Sequence, residues 1–479
     1  MGFFSASNDS RMDYRPSGGL LAVISFLVAV AWWSEFVEPA NTAKWIALSA
    51  LVPLAFLRAR YVWTWAHVGV ALWLALAALS LLWTPSVLDG TLALWQFALL
   101  AAVFFAGSSL TANGVRACLL AFAIGVGVSG LVALAQAFGT LELNQVSPVA
   151  GLYFNKNQLA EVGLLALVAA LIYRAWWALP GAALAFVLPM SRGAGVALAL
   201  VGCVWLWRRS RAAAVIFATL PLAMGAVYLI ELPTGDHTVG YRLALWSVTL
   251  QNLTLFGHGI GSFTAAFPAF AAASPVPVPD GVFRFALDPG SAHNDLIQLA
   301  SDTGVAALLL AAVVIAALRN GSDEAPHLVL VAFAGLALVA FPLYSPVQAF
   351  VGALCAGYLC GAWADVGDRN GDWRDPAYRG AAIAGIELDP ARQYPRRGGV
   401  AVPGPHPRGQ RVAARDDGRH AAADRAGRAA PGAAPRAGFA AAQLLARLSP
   451  HPHRRPGGRP RDGVETASHR PRLAANQAT

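Results

Sequence analysis

Charge is scarce in this chain: only 13% of its 479 residues are Asp, Glu, Lys or Arg. That is about half the ~25% usual in water-soluble domains, which excludes an ordinary soluble globule. Cysteine is scarcer still, and Cys118, Cys203, Cys355 and Cys360 all lie in apolar runs, with no CxxC pair and no histidine at zinc-ligand spacing. A disulfide framework and a zinc module are thereby excluded, and the four read as packing residues. There is no Walker loop and no Ser-His-Asp signature, and Asp288, His293, Asp295 and Asp302 lack a recognised ligand spacing. Neither a nucleotide cofactor nor a metal is expected.

Hydrophobic residues make up 57% of the chain, with 15 Trp and 23 Phe. Apolar runs near the ~20 residues needed to cross the hydrocarbon recur from Leu20 to Trp363. The pattern predicts an all-α polytopic membrane protein with about twelve spans, near 19–35, 43–57, 66–83, 91–110, 115–138, 158–175, 178–190, 193–207, 212–230, 304–318, 327–345 and 347–363. The expected organisation is a cytoplasmic segment 1–18, nine spans within 19–230, an outer loop 231–303, three spans within 304–363 and a tail 364–479. No cleavable leader is read in residues 1–19, because acidic Glu35 and Glu38 follow the first apolar run instead of a small-residue cleavage site.

From Asp365 onward the chain carries 20 Arg, no Lys and 11 acidic residues amid Ala, Pro and Gly. The body has as many basic as acidic residues, so the net charge of +9 belongs wholly to the tail. Such a composition cannot bury enough apolar surface to fold alone. It reads either as a basic cytoplasmic tail touching anionic lipid or as out-of-frame, high-GC coding sequence. No nucleic-acid partner is expected.

A cytoplasmic N-terminus places Arg11, Arg15, Arg58, Arg60, Arg116, Arg174, Arg208, Arg209, Arg211, Arg319 and the tail inside, as the positive-inside rule requires. Lys44, Lys156, Arg192, Arg242 and Arg284 are then left on the outer side, where orientation does not need them. Arg192 interrupts the run LAFVLPMSRGAGVALAL. A charge at membrane depth costs at least ~2.5 kcal/mol, so it marks function unless it snorkels to the surface. The flanking runs 178–190 and 193–207 would each rise only ~20 Å as helix, short of the ~30 Å hydrocarbon. They predict a broken connection lining a cavity, with Arg192 facing an outward pocket.

The outer loop is the longest connection in the body. In its first part Leu243, Trp246, Leu250 and Leu253 recur at helical spacing, predicting an amphipathic helix along the outer membrane surface with Arg242 on its first turn. Gly257, Gly259 and Gly261 surround His258 in GHGIG, but no strand precedes them, so they read as a helix end and turn. In SAHNDLIQLASDTG, Asn294 or Ser291 is positioned to cap a helix. His293 lies at its start, where an imidazole can serve as a base or meet an anion, although an isolated histidine is more often structural.

Four segments, GLYFNKNQLAE at 151–161, SRGAGVALAL at 191–200, YRLALW at 241–246 with GHGIGSF at 257–263, and AHNDLIQLASDTG at 292–304, resemble the O-antigen ligase and O-antigen polymerase superfamily of bacterial envelope proteins. The resemblance spans about residues 20–363 and excludes the tail. It implies a GT-C-like, metal-independent glycosyltransferase of the inner membrane, working on the periplasmic face without a cofactor. The implied donor is a polyprenyl-diphosphate-linked glycan, and the acceptor is lipid A-core for a ligase or a second carrier-linked repeat unit for a polymerase. By motif, Arg192 and Arg242 would hold the diphosphate and His293 would assist transfer to the acceptor hydroxyl. Asn155, Lys156, Asn157, Asn294 and His258 are substrate-binding candidates. A secondary transporter, which also uses broken helices and buried charge, is the alternative from another class.

Overall fold

The computed structural model describes residues 17–36, 38–59, 63–215, 217–219, 237–274, 290–319 and 323–369. Outside them lie the N-terminal arginines Arg11 and Arg15, Arg60, most of the expected ninth span, Pro275–Pro279, Arg284, Asp288 and nearly all of the tail. The chain divides into a unit at Met1–Gln393 and a second at Tyr394–Thr479, and the second falls wholly outside the described residues.

Within the described residues every regular element is helical. The helices are α1 Ser17–Val30, α2 Pro39–Arg58, α3 Trp65–Leu79, α4 Val87–Ser108, α5 Ala112–Ala137, α6 Lys156–Ile172, α7 Leu179–Val187 and α8 Arg192–Trp207. They continue with α9 His237–Gln251, α10 Phe263–Ala273, α11 Asp295–Thr303, α12 Ala307–Arg319, α13 Glu324–Ala337 and α14 Pro346–Arg369. Short polar side chains start several of them by accepting an otherwise orphaned backbone N–H. Ser86 does so for α4, Thr111 for α5, Asn155 for α6, Asn294 for α11 and Asp323 for α13.

Five helical stretches are long and apolar enough to cross a membrane: Pro39–Arg58, Trp65–Leu82, Val87–Ser108, Ala112–Ala137 and Asp295–Arg319. Gly18–Val30, Arg192–Trp207, Glu324–Ala337 and Pro346–Gly361 are apolar but shorter. The fifth long stretch starts nine residues before the expected boundary at 304, because α11 continues into α12 through a single 3-10 turn at Gly304–Ala306. Another departure lies at the expected span 327–345. Helix α13 stops at Ala337 and α14 begins at Pro346, leaving an irregular segment 338–345 with one 3-10 turn, Pro342–Tyr344. Pro342 and Pro346 each lack the N–H a continuing helix would need.

Where lipid replaces water there is little hydrophobic drive between helices, so close approach must supply the packing. Helices α4 and α14 show how. A Cβ on Gly107 would lie 2.8 Å from the Leu354 carbonyl, and Gly357 and Gly361 sit directly against the backbone of Phe104 and Ser108. Side chains any larger would force these two helices apart. Helix α5 packs between α1 and α7, α6 also lies on α7, and α8 lies on α13.

Lys44 is fully buried in α2 without an acidic partner within hydrogen-bonding contact. Its Nζ donates to Ala31 O at 2.6 Å, just past the end of α1, and to Leu152 O at 2.8 Å, and lies 4.7 Å from the Tyr153 ring centre. Tyr153 in turn donates to Ala29 O at 3.3 Å. The ammonium therefore ties the segment before α6 to the end of α1, where the helix dipole also favours a cation. Each buried carbonyl left without a donor costs about 1–3 kcal/mol. Lys44→Met should therefore lower stability by about 2 kcal/mol net of the relieved ammonium burial. Thermal unfolding of the purified protein in detergent checks this, and an unchanged midpoint would show that the two carbonyls find other donors.

Candidate functional site

The irregular segment 338–345 exposes backbone groups that no helix satisfies, and side chains from distant parts of the sequence satisfy them. Asn294 Nδ2 donates to Leu338 O at 2.9 Å, and Arg242 Nη1 donates to Val339 O at 2.8 Å. Leu343 N donates to Asp295 Oδ2 at 2.9 Å. Tyr344 OH donates to Asp302 Oδ2 at 3.3 Å, and Gln158 Nε2 donates to Ser345 Oγ at 3.4 Å. The His293 ring meets the Phe341 ring edge-on, with centroids 5.2 Å apart.

Arg242 and His293 are thus brought to one place although about 50 residues separate them. The tether is visible in α9: Trp246 Nε1, one turn after Arg242, donates to Ala292 O at 2.8 Å, the residue before His293. Gln298 Oε1 accepts from Ala292 N at 2.9 Å, and the Asn294 side chain both caps α11 and holds Leu338. Arg192 approaches from another side. It is the exposed first residue of α8, and a Cβ on its neighbour Gly193 would sit 3.6 Å from Val339 Cγ2. Arg242 and the start of α8 therefore come to the same residue, Val339, from two helices. Both turns that present these groups carry a non-glycine residue in the left-handed region, Met190 at φ 50 before Arg192 and His293 itself at φ 51. Such conformations cost about 1–3 kcal/mol each and persist only where the surroundings hold them.

Burial pushes the Arg242 guanidinium below its ordinary value, and the negative charge of Glu161 opposes that shift. His293 is pushed down to about 4, first by burial and then by the positive charge of Arg242. Its imidazole is therefore neutral at physiological pH, with a free lone pair able to take a proton. A guanidinium fork beside a neutral imidazole suits an anionic ligand whose partner must lose a proton.

The remaining sequence candidates sit at the start of α6 and beside α11. Asn155 accepts from Asn157 N at 2.8 Å as the cap of α6, while Lys156 beside it is exposed. His258 is placed at the opposite end of α11. Its backbone N–H donates to Ser301 O at 2.8 Å, its ring packs on Phe270 with centroids 4.6 Å apart, and burial lowers its pKa. Ser301 is eight residues beyond His293, or ~12 Å along a helix, so His258 serves packing rather than the arginine group. The glycines around it also pack: Gly259, at φ 103, lies against Thr84, and Gly257, at φ 69, against Asp302. The helix expected in the first part of the outer loop stops before Leu253. Helix α9 ends at Gln251 and buries Leu245 and Val248 against Phe263, Phe267 and Phe270, while Leu243 and Leu250 remain more than half exposed.

Sequence reasoning missed Glu161 and Gln348 and weighed Asp295 and Asp302 only as metal ligands, and all four are buried. Asp302 accepts from Ser262 Oγ and Phe263 N as well as from Tyr344, so one carboxylate fastens the GHGIGSF turn to segment 338–345. The signal available was a run of acidic and amide residues inside otherwise apolar stretches. Two surface cavities, of about 320 and 430 Å³, are lined by Trp83 and Thr254–Gly257 and by Ala31, Trp32, Trp33, Phe36, Ala43 and Ile46. Neither touches the arginine group, and their walls offer no charged side chain, so the chemistry points to segment 338–345 instead. Among the described residues no three His, Cys, Asp or Glu side chains gather as metal ligands. No family model and no curated protein matches this chain.

Because His293 titrates near 4 when folded and near 6.5 when unfolded, its neutral form contributes stability fully present above pH 6.5 and lost as pH falls toward 4. An NMR titration of labelled His293 should show a midpoint near 4. A midpoint near 6.5 would mean that the imidazole is solvated and remote from Arg242.

Proposed function

We propose that the chain is a glycosyltransferase of the O-antigen ligase type, moving a glycan from a polyprenyl-diphosphate carrier to a lipid A-core or similar hydroxyl on the periplasmic face of the bacterial inner membrane. The observation that carries this reading is the convergence of Arg242 and His293 on segment 338–345, with Gly193 at the start of α8, next to Arg192, close to the same Val339. The resemblance of four ordered motifs supports it, and so do the apolar helices. The reading keeps about twelve spans, counting the shorter helices as crossing with the help of neighbours.

In this reading the acceptor hydroxyl attacks the anomeric carbon, its proton passes to the neutral His293 imidazole, and the bond from that carbon to the diphosphate oxygen breaks. Polyprenyl diphosphate leaves with the electron pair. Charge accumulates on the diphosphate as the bond lengthens, and guanidinium groups held beforehand stabilise it without reorganising at that moment. Bidentate N–H pairs also match the spacing of phosphate oxygens. The donor is already activated, so no nucleotide is needed outside the cytoplasm. A polymerase would share all of this and differ only in the acceptor.

Arg192 is the cleaner test, since it is exposed, whereas Arg242 also supports the Val339 carbonyl. In a purified transfer assay with a polyprenyl-diphosphate-linked glycan, Arg192→Ala should lower turnover by about 10²–10³-fold, in the range for removing one charge-stabilising donor. Arg192→Lys, which keeps the charge but loses the planar fork, should remain impaired. Wild-type turnover in Arg192→Ala removes the reading, and uptake of substrate into liposomes without transfer would favour a transporter.

A further inference from the structure

Just past the end of α9, the turn 253–257 turns three large apolar side chains outward: Leu253, Leu255 at 61% exposure and Phe256 at 68%. No Asp, Glu, Lys or Arg occurs anywhere from 243 to 279. Contiguous apolar surface of this kind marks contact with something apolar. Trp83 faces the turn across a cavity of about 320 Å³, so an aromatic side chain from a second element extends the same patch.

The backbone fixes where this patch lies. Val305 N donates to Leu255 O at 2.9 Å, His258 N to Ser301 O at 2.8 Å and Gly259 N to Asp302 O at 2.9 Å. Gly304, at φ 60, sits against the Leu255 carbonyl, where a Cβ would not fit. The turn is therefore held at the junction of α11 and α12, inside the stretch Asp295–Arg319 that is long and apolar enough to cross a membrane. Counted back from Arg319 at ~1.5 Å per residue, Val305 lies ~21 Å along the helix, or ~9 Å inside the far edge of a ~30 Å hydrocarbon layer. Val305 and Leu308 are themselves exposed at this level, so the patch continues the outward face of a candidate span. Helix α3 gives the same level independently. Gly69 lies against Val313, while Ser80 Oγ accepts from Ile260 N at 2.8 Å and Gly259 lies against Thr84. The end of α3 that carries Trp83 is thus the end beside the turn, ~27 Å from Trp65. Irregular backbone at such depth is tolerated only where protein groups satisfy it, and the α11–α12 junction supplies partners.

We infer that turn 253–257, together with Trp83, is a wedge seated in the bilayer, and that the partner it fits is the acyl chains of membrane lipid. A depth of ~9 Å matches the ~5–10 Å to which interfacial apolar elements sink. The wedge ends the helix that carries Arg242, and it is bonded to the helix that follows His293. His293 is twelve residues before Val305, or ~18 Å along a helix, which lifts it ~9 Å clear of the hydrocarbon, beside the headgroups. The wedge thereby sets the height of Arg242 and His293 above the membrane, whatever ligand they take.

Spin-label depth measurement on the full-length protein tests this in vesicles of phosphatidylethanolamine and phosphatidylglycerol. Cys203, the one cysteine of the four that is not buried, is first changed by Cys203→Ser. A nitroxide on Phe256→Cys should collide with dissolved oxygen and lose collision with a water-soluble nickel chelate, reporting a depth of ~9 Å. A nitroxide on Glu142→Cys, in an exposed loop between α5 and α6, should meet the chelate freely. Should Phe256→Cys fail to fold, Thr254→Cys, on the same turn and already polar and exposed, takes the label and should give the same loss. Chelate access at the turn equal to that at Glu142 would place it in water and overturn the inference. Shielding from both oxygen and chelate would mean that protein covers the patch, either a second copy of this chain or another partner, and would overturn it as well.

Discussion

A helix interrupted among apolar neighbours leaves carbonyl and N–H groups that water cannot reach, and each one must find a partner within the protein. Segment 338–345 is such an interruption, and side chains from several described helices answer it. Leu338 O, Val339 O and Leu343 N are met by Asn294, Arg242 and Asp295, three side chains from the segment 242–295. Folding the loop helices onto the membrane body and completing the interrupted backbone are therefore the same event.

The constraint has a chemical by-product. Side chains recruited to satisfy a carbonyl come with fixed orientation and reduced solvation, the conditions under which a guanidinium or an imidazole acts strongly on a ligand. Arg242 is oriented by Val339, and burial, with the Arg242 charge second, keeps His293 neutral. Asp302 provides the same service away from the arginines, fastening the GHGIGSF turn to Tyr344. Lys44 plays the corresponding part near α6, where two carbonyls and an aromatic face accommodate a buried ammonium.

What could be read along the chain was whatever one segment decides by itself. Apolar runs of sufficient length marked the long helices, and Asn294 marked the start of α11 because a cap needs only its own next few residues. The short helices on either side of Arg192 were visible from Pro189, Gly193 and the charge itself. The break at 338–345 was less visible, since Phe341, Leu343 and Tyr344 keep the segment apolar, and Pro342 and Pro346 are the only signs of it. A histidine among glycines looks the same in sequence whether it meets a substrate or Phe270, and only the structure sets His258 against Phe270.

By itself the sequence determined a helical, apolar chain with a few basic residues set in or beside its apolar runs, since hydrophobic length acts locally and adds along the chain. Only the tertiary structure decided which of those residues meet. Arg242, His293 and the start of α8 gather at Val339 and Phe341 because an interrupted backbone demanded partners there. No spacing rule encodes that meeting: hydrogen bonds between side chains and a distant unpaired carbonyl exist only once the helices have packed.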